Sequence, residues 1–268
     1  MPEKYKHSYA FLELGELLMY SIRELGYEAS LKFNELTTDR NIIIGCHLLS
    51  PSLMPQVPKS TIILNTEQIY SDDSSWNKNI FEWIKNFEVW DYSLRNIEKI
   101  KSLGISNFKH LRIGYQKELK RIEKSTIQDI DVLFYGSIND RRKKILEELK
   151  ASGLRTEVLF GVYGEERDKF ISRSKIVLNF HYYKSQIFEI VRVFYLLHND
   201  VAVVSEINES TSIDNQWRSA VSGAPYENLV NQVISLSNDA SLRKLTEKNG
   251  RDAIEEFPQH LYTSQILN

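Results

Sequence analysis

The sequence predicts an α/β protein built on parallel sheets in two successive lobes. Short apolar runs of strand length alternate with longer amphipathic runs of helix length. The strands are not joined by hairpin signals such as Asn-Gly, so crossover connections and parallel pairing follow. A polar, charged stretch at 117–128 then separates two apolar strands and serves as the expected linker, placing domains at 1–122 and 123–268.

In the first lobe, residues 9–25 carry apolar side chains at helical spacing (Phe11, Leu12, Leu14, Leu17, Leu18, Ile22, Leu25) and stop at Gly26. Strands are expected at 28–33, at 42–49, which is rich in β-branched residues, and at 61–66. Helices are expected at 83–90 and at 93–103, the latter ending at Gly104, followed by a strand at 109–113. In the second lobe the order is strand 130–136, helix 141–152 stopped by Gly153, strand 157–161, helix 165–173, strand 175–180, helix 186–197 and strand 201–205. That β-α-β-α-β-α-β order is a doubly wound unit. The stretches 226–236 and 240–256 read as helices.

Composition bounds the function. The chain has 268 residues, 42% hydrophobic and 26% charged, as in folded globular proteins. Lys plus Arg (34) nearly balances Asp plus Glu (36), so a net charge of -2 supplies no broad field for a polyanion, and a nucleic-acid partner would need a local patch. The single cysteine, Cys46, stands in an apolar run and reads as a core residue. No Cys pair or His-x-x-x-His spacing offers a zinc site. The first residues lack the apolar core of a signal peptide and no stretch is long enough to span a membrane, so cytoplasmic residence is the simplest expectation.

In an open parallel sheet, ligands bind beyond the carboxyl ends of the strands, where loops and helix N-termini converge. After the strand at 130–136 come Gly136, Asn139, Arg141 and Arg142, whose glycine, free N–H groups and guanidiniums suit a diphosphate. The same run also reads as a solvated basic turn. After the next strand Tyr163 stands between Gly161 and Gly164, either as part of a turn or to stack on a base. After the third come Asn179, His181, Tyr182 and Lys184, then Glu189 and Arg192 in an otherwise apolar helix. A carboxylate and a guanidinium on such a surface either pair with each other or meet a polar ligand such as a ribose or a phosphate.

These residues carry a resemblance. The run from Asp131 through Glu206, with Phe134-Tyr-Gly-Ser-Ile-Asn-Asp-Arg-Arg, Gly161-Val-Tyr-Gly-Glu-Glu-Arg-Asp and Phe188-Glu-Ile-Val-Arg, looks like the donor domain of bacterial and viral GT-B glycosyltransferases. The first half resembles the acceptor domain of the same group through His7-Ser-Tyr-Ala-Phe-Leu-Glu-Leu, Asn65-Thr-Glu67-Gln68-Ile, Trp90-Asp-Tyr-Ser and Ile113-Gly-Tyr. The resemblance implies two Rossmann-like domains facing each other across a cleft. It also implies a shortened N-terminal sheet, because such domains open with a strand and six residues precede His7. Retaining members show a Glu-x7-Glu pattern whose second glutamate binds the donor ribose. Glu189 matches that position, while His181 stands at the first.

By analogy the chain moves a sugar from a nucleoside-diphosphate sugar to an unidentified acceptor (a glycan, a lipid-linked compound or a small molecule), with no cofactor and no metal. Arg141 or Arg142 and the helix dipoles would neutralise the leaving diphosphate. The nearest acidic cluster, Asp72-Asp73, reads as solvated. His7 and Glu67 are the catalytic candidates on the acceptor side, with Gln68 as orienter. The rival readings are a transferase acting on modified DNA bases and a non-catalytic nucleotide-sugar binder.

Overall fold

The structure, a computed structural model, describes residues 6–69 and 77–267; Asp72, Asp73 and Trp76 lie outside the described residues. Two compact units form. The first comprises residues up to 113 together with 183–187 and the final stretch from 259, and the second comprises 114–182 and 188–258.

In the first unit a 3-10 turn at Lys6–Phe11 runs into α1, Leu12–Glu24. Four strands, β1 (Ile42–Ile44), β2 (Ile62–Asn65), β3 (Glu88–Asp91) and β4 (Phe108–His110), pair in parallel in the order β1-β2-β3-β4. Helices α2 (Asn77–Asn86) and α3 (Leu94–Ser102) flank them. Ile63, Val89, Ile80, Trp83 and Ile100 make the apolar core.

Two expectations for this unit are corrected. The segment 28–33 is not a strand. Its alternation comes from packing on α1, where Leu31 lies so close to Gly15 that a Cβ there would sit 2.8 Å from its Cδ1. The helix expected at 83–90 is instead the end of α2 followed by β3. Val89, Trp90 and Asp91 are buried within the sheet, and a continuous apolar run in an interior parallel strand cannot be told from a buried helix by periodicity.

The second unit is a five-stranded parallel sheet of β5 (Ile130–Tyr135), β6 (Thr156–Leu159), β7 (Ser174–Asn179), β8 (Val203–Glu206) and β9 (Ser222–Ala224), in the order β6-β5-β7-β8-β9. Helices α4 (Asp140–Ala151), α5 (Gly164–Ser172) and α6 (Ile190–His198) connect the first four strands. The short α7 (Asn215–Arg218) precedes β9, and α8 (Leu229–Asn238) and α9 (Ala240–Glu255) close the unit. Val132, Phe134, Ile176, Leu178 and Val204 pack with Ile145, Leu149 and Val233 to form the core. The polar stretch after residue 117 is tied to this unit by Asn199, which accepts from the N–H groups of Arg121 and Ile122 and donates to the Leu119 carbonyl. The last helix, α10 (Gln259–Leu267), returns to the first unit and packs on α1.

The helix expected from 186 begins only at Ile190. Residues 183–187 are held in the first unit, where Arg95 donates to the Ser185 carbonyl at 2.6 Å and the Ser185 hydroxyl bonds Gln68 Oε1. Those contacts fix a non-helical backbone, with Gln186 at φ 50°.

Candidate nucleotide site and acceptor-side pair

The second-unit site grows from the exits of β5, β7 and β8. Asn139 caps α4 by accepting from the Arg142 N–H at 2.9 Å, and its side-chain amide donates to the Tyr182 carbonyl at 3.1 Å. That cap turns Arg142 inward, where it is buried among the rings of Phe134, Phe180 and Tyr182, each centroid 5.2 to 5.4 Å from the guanidinium carbon. The guanidinium donates to the carbonyls of Ser137 and Phe180 and to Glu189 Oε1 at 3.1 Å. Burial lowers its pKa to about 10, which leaves it charged at neutral pH.

Glu189 occupies the N-cap position of α6 and also meets Arg192 at 3.1 Å. Burial opposes its charge, but Arg192 and Arg142 together hold its carboxyl below the usual range. Gly136, at φ 135°, makes room for this arrangement, since a Cβ there would lie 3.0 Å from Arg192 Nη2.

A second pair lies beside the first. Arg141 grips Glu206, at the end of β8, through both nitrogens of its fork, donates to the His181 carbonyl and stacks 3.9 Å over Tyr226. Glu206 also accepts from the His181 N–H at 3.0 Å. Burial lowers the His181 pKa, so its imidazole is neutral, and its Nε2 lies 3.4 Å from the Thr211 hydroxyl. Three guanidiniums against two carboxylates leave the cluster one positive charge in excess. Arg192 Nη1, Arg142 Nε and His181 Nδ1 are buried there without a hydrogen-bond partner. The two guanidinium atoms call for an acceptor, and a diphosphate or sugar oxygen is one.

Gly136, Asn139, Arg141, Arg142, His181, Tyr182, Glu189 and Arg192 are thus gathered together. Tyr163 occupies the N-cap position of α5 at the exit of β6, the edge strand, between two glycines with positive φ. Lys184 is exposed on the segment held in the first unit. Glu206 escaped the sequence reading, although the strand-exit rule, applied to β8 as it was to the other strands, would have found it.

In the first unit, Glu67 follows β2 and its carboxylate lies 3.6 Å from His47 Nε2. Burial pushes the His47 pKa down to about 4, so the pair is a carboxylate beside a neutral imidazole. His7 is half-buried in the opening 3-10 turn. Gln68, the expected orienter, accepts from the Ser185 hydroxyl and donates to the Ile187 carbonyl.

No family model matches the chain. It is 27% identical over 226 residues to protein L140 of Acanthamoeba polyphaga mimivirus, covering 80% of this chain and 72% of that one. With mimivirus protein L137 it shares 30% identity over 186 residues, 65% of this chain but only 24% of the relative. Among solved structures, TarM superposes with a TM-score of 0.59 at 13% identity, over 85% of this chain and 54% of TarM. Anabaena HepE, solved with UDP and glucose, gives 0.58 at 11% identity, over 81% and 72%. A DNA-modifying β-glucosyltransferase gives 0.58 at 14% identity, over 93% of this chain and 91% of that one.

The chain has the GT-B fold. Both units supply the parallel α/β sheets that a GT-B protein requires. Among the described residues no helix is long and apolar enough to cross a membrane.

Proposed function

We propose that the chain is a glycosyltransferase that takes a sugar from a nucleoside-diphosphate sugar bound on the second unit and passes it to a hydroxyl-bearing acceptor, without help from a divalent metal. The reading is carried by the buried Arg142–Glu189–Arg192 cluster at the strand exits of a Rossmann-like sheet. The carboxylate of Glu189 has the acceptor capacity for both ribose hydroxyls. The excess positive charge, with the unpartnered Arg192 Nη1 and Arg142 Nε, suits the diphosphate that becomes the leaving group. A GT-B protein solved with UDP and glucose supports uracil as the first base to test.

In a thermal-shift panel of nucleoside diphosphates, the matching one at a hundred times its Kd should stabilise the protein by about 2.7 kcal/mol. Mixing the matching donor with acceptor should release free nucleoside diphosphate, whereas a non-catalytic binder would bind without release. If no member of the panel shifts the transition, the reading fails.

A second reading has its own support. The DNA-modifying β-glucosyltransferase matches this chain over nearly the full length of both. If the acceptor is a modified base, transfer to duplex DNA should be detectable, and DNA binding should weaken steeply with salt.

A further inference from the structure

Two motifs that the sequence keeps apart, Asn65-Thr-Glu67-Gln68 and Asp91-Tyr-Ser93 with Asn96, meet at the ends of β2 and β3. Asp91 is fully buried, and its carboxylate accepts from the Asn65 amide at 2.6 Å, the Ser93 N–H at 2.8 Å and the Asn96 amide at 3.1 and 3.2 Å. Because both carboxyl oxygens of Asp91 accept from these groups, both amides turn their NH2 inward and leave their oxygens facing the other way. Those oxygens then accept from the N–H groups of Glu67 and Ile69, at 3.2 and 3.0 Å. The same two NH2 groups also donate to the Glu67 carbonyl, at 3.0 and 2.8 Å. Every one of these bonds lands on the backbone of the turn at 65–69, while the Glu67 side chain projects to His47.

We infer that Asp91 is a positioning residue: through Asn65 and Asn96 it locks the turn that presents the Glu67 carboxylate to the acceptor hydroxyl. The inference rests on the proposed transferase reading for its chemistry. In that chemistry the acceptor oxygen bonds the sugar's anomeric carbon as the bond from that carbon to the diphosphate oxygen breaks. The electron pair leaves with the nucleoside diphosphate, and the acceptor proton passes to Glu67.

Glu67→Gln and Asp91→Ala are each expected to lower kcat about 100-fold, the scale of one positioned proton acceptor, with UDP affinity unchanged. The double variant should be no slower than Glu67→Gln alone, because Asp91 acts through Glu67. Asp91→Ala should also speed hydrogen exchange at the Glu67 and Ile69 amides by tenfold or more; if it fails to fold, Asn96→Ala takes its place. Multiplying effects in the double variant, or an unchanged kcat in Asp91→Ala, would overturn the inference. So would unchanged exchange at the two amides, which needs no turnover and therefore separates this failure from a failure of the transferase reading.

Discussion

Arg142 is almost fully removed from water, and its charge is tolerated only because Glu189 and two backbone carbonyls surround it. Glu189→Ala leaves that guanidinium without its carboxylate and is expected to cost about 3 to 5 kcal/mol of stability by urea denaturation. Glu189→Gln keeps the shape and one acceptor, so it should retain more of the fold. In that variant nucleotide affinity should fall by about 1.5 to 3 kcal/mol, read by calorimetry. If affinity stays at the parent level with the fold intact, Glu189 has no part in binding. The cluster was half legible in the sequence. Strand-exit position pointed to Gly136, Arg141, Arg142 and Glu189, because the ends of parallel strands can be read from apolar runs alone. Which cation faces which carboxylate was not legible, since the choice of Glu206 for Arg141 and Glu189 for Arg142 depends on side-chain directions at three neighbouring strands.

Among the elements, α9 approaches α6 more closely than an ordinary side chain permits. A Cβ at Gly250 would lie 2.9 Å from Leu197 Cδ2 and 3.0 Å from the Ala220 carbonyl oxygen. Gly250→Ala should therefore destabilise the second unit by about 1 to 3 kcal/mol, the usual cost of overpacking, although alanine is the better helix former. A rise in the midpoint of thermal unfolding would show that the helices part without cost. The sequence marked Gly250 as a residue inside a helix but held no sign of what lies opposite it. The start of α6 shows the same limit: apolar spacing from 186 onward looks helical, yet Gln68 and Arg95, distant in sequence, hold 183–187 in another shape.

For the whole molecule, stability against pH combines terms of opposite sign. His198 accepts the Gln116 N–H at Nε2 and lies close to the Phe194 carbonyl through Nδ1, so the buried ring is neutral and its pKa is lowered to about 4. Between that value and the ordinary 6.5 the unfolded chain binds more protons, so this term is lost as pH falls through the interval. It is worth on the order of 3 kcal/mol. His198→Gln should flatten the acid arm of the stability curve. Asp91 acts in the other direction: burial raises its pKa to about 7 against the opposing bonds from Asn65, Ser93 and Asn96. The folded chain then binds the extra proton between about pH 4 and 7, and stability falls as pH rises through that window. Asp91→Asn should remove that slope, and an unchanged slope would place the ionisation elsewhere.

The sequence by itself determined the α/β class, the parallel connections and the strand exits of the second unit, because periodicity and breaker residues act over a few neighbouring positions. Tertiary structure alone decided that residues 183–187 and 259–267 belong with the first unit, that 88–91 is a strand, and that Asp91, Asn65 and Asn96 close on the turn carrying Glu67. Those outcomes depend on which distant groups satisfy one another's hydrogen bonds and charges once water is excluded, and local pattern carries no record of that pairing.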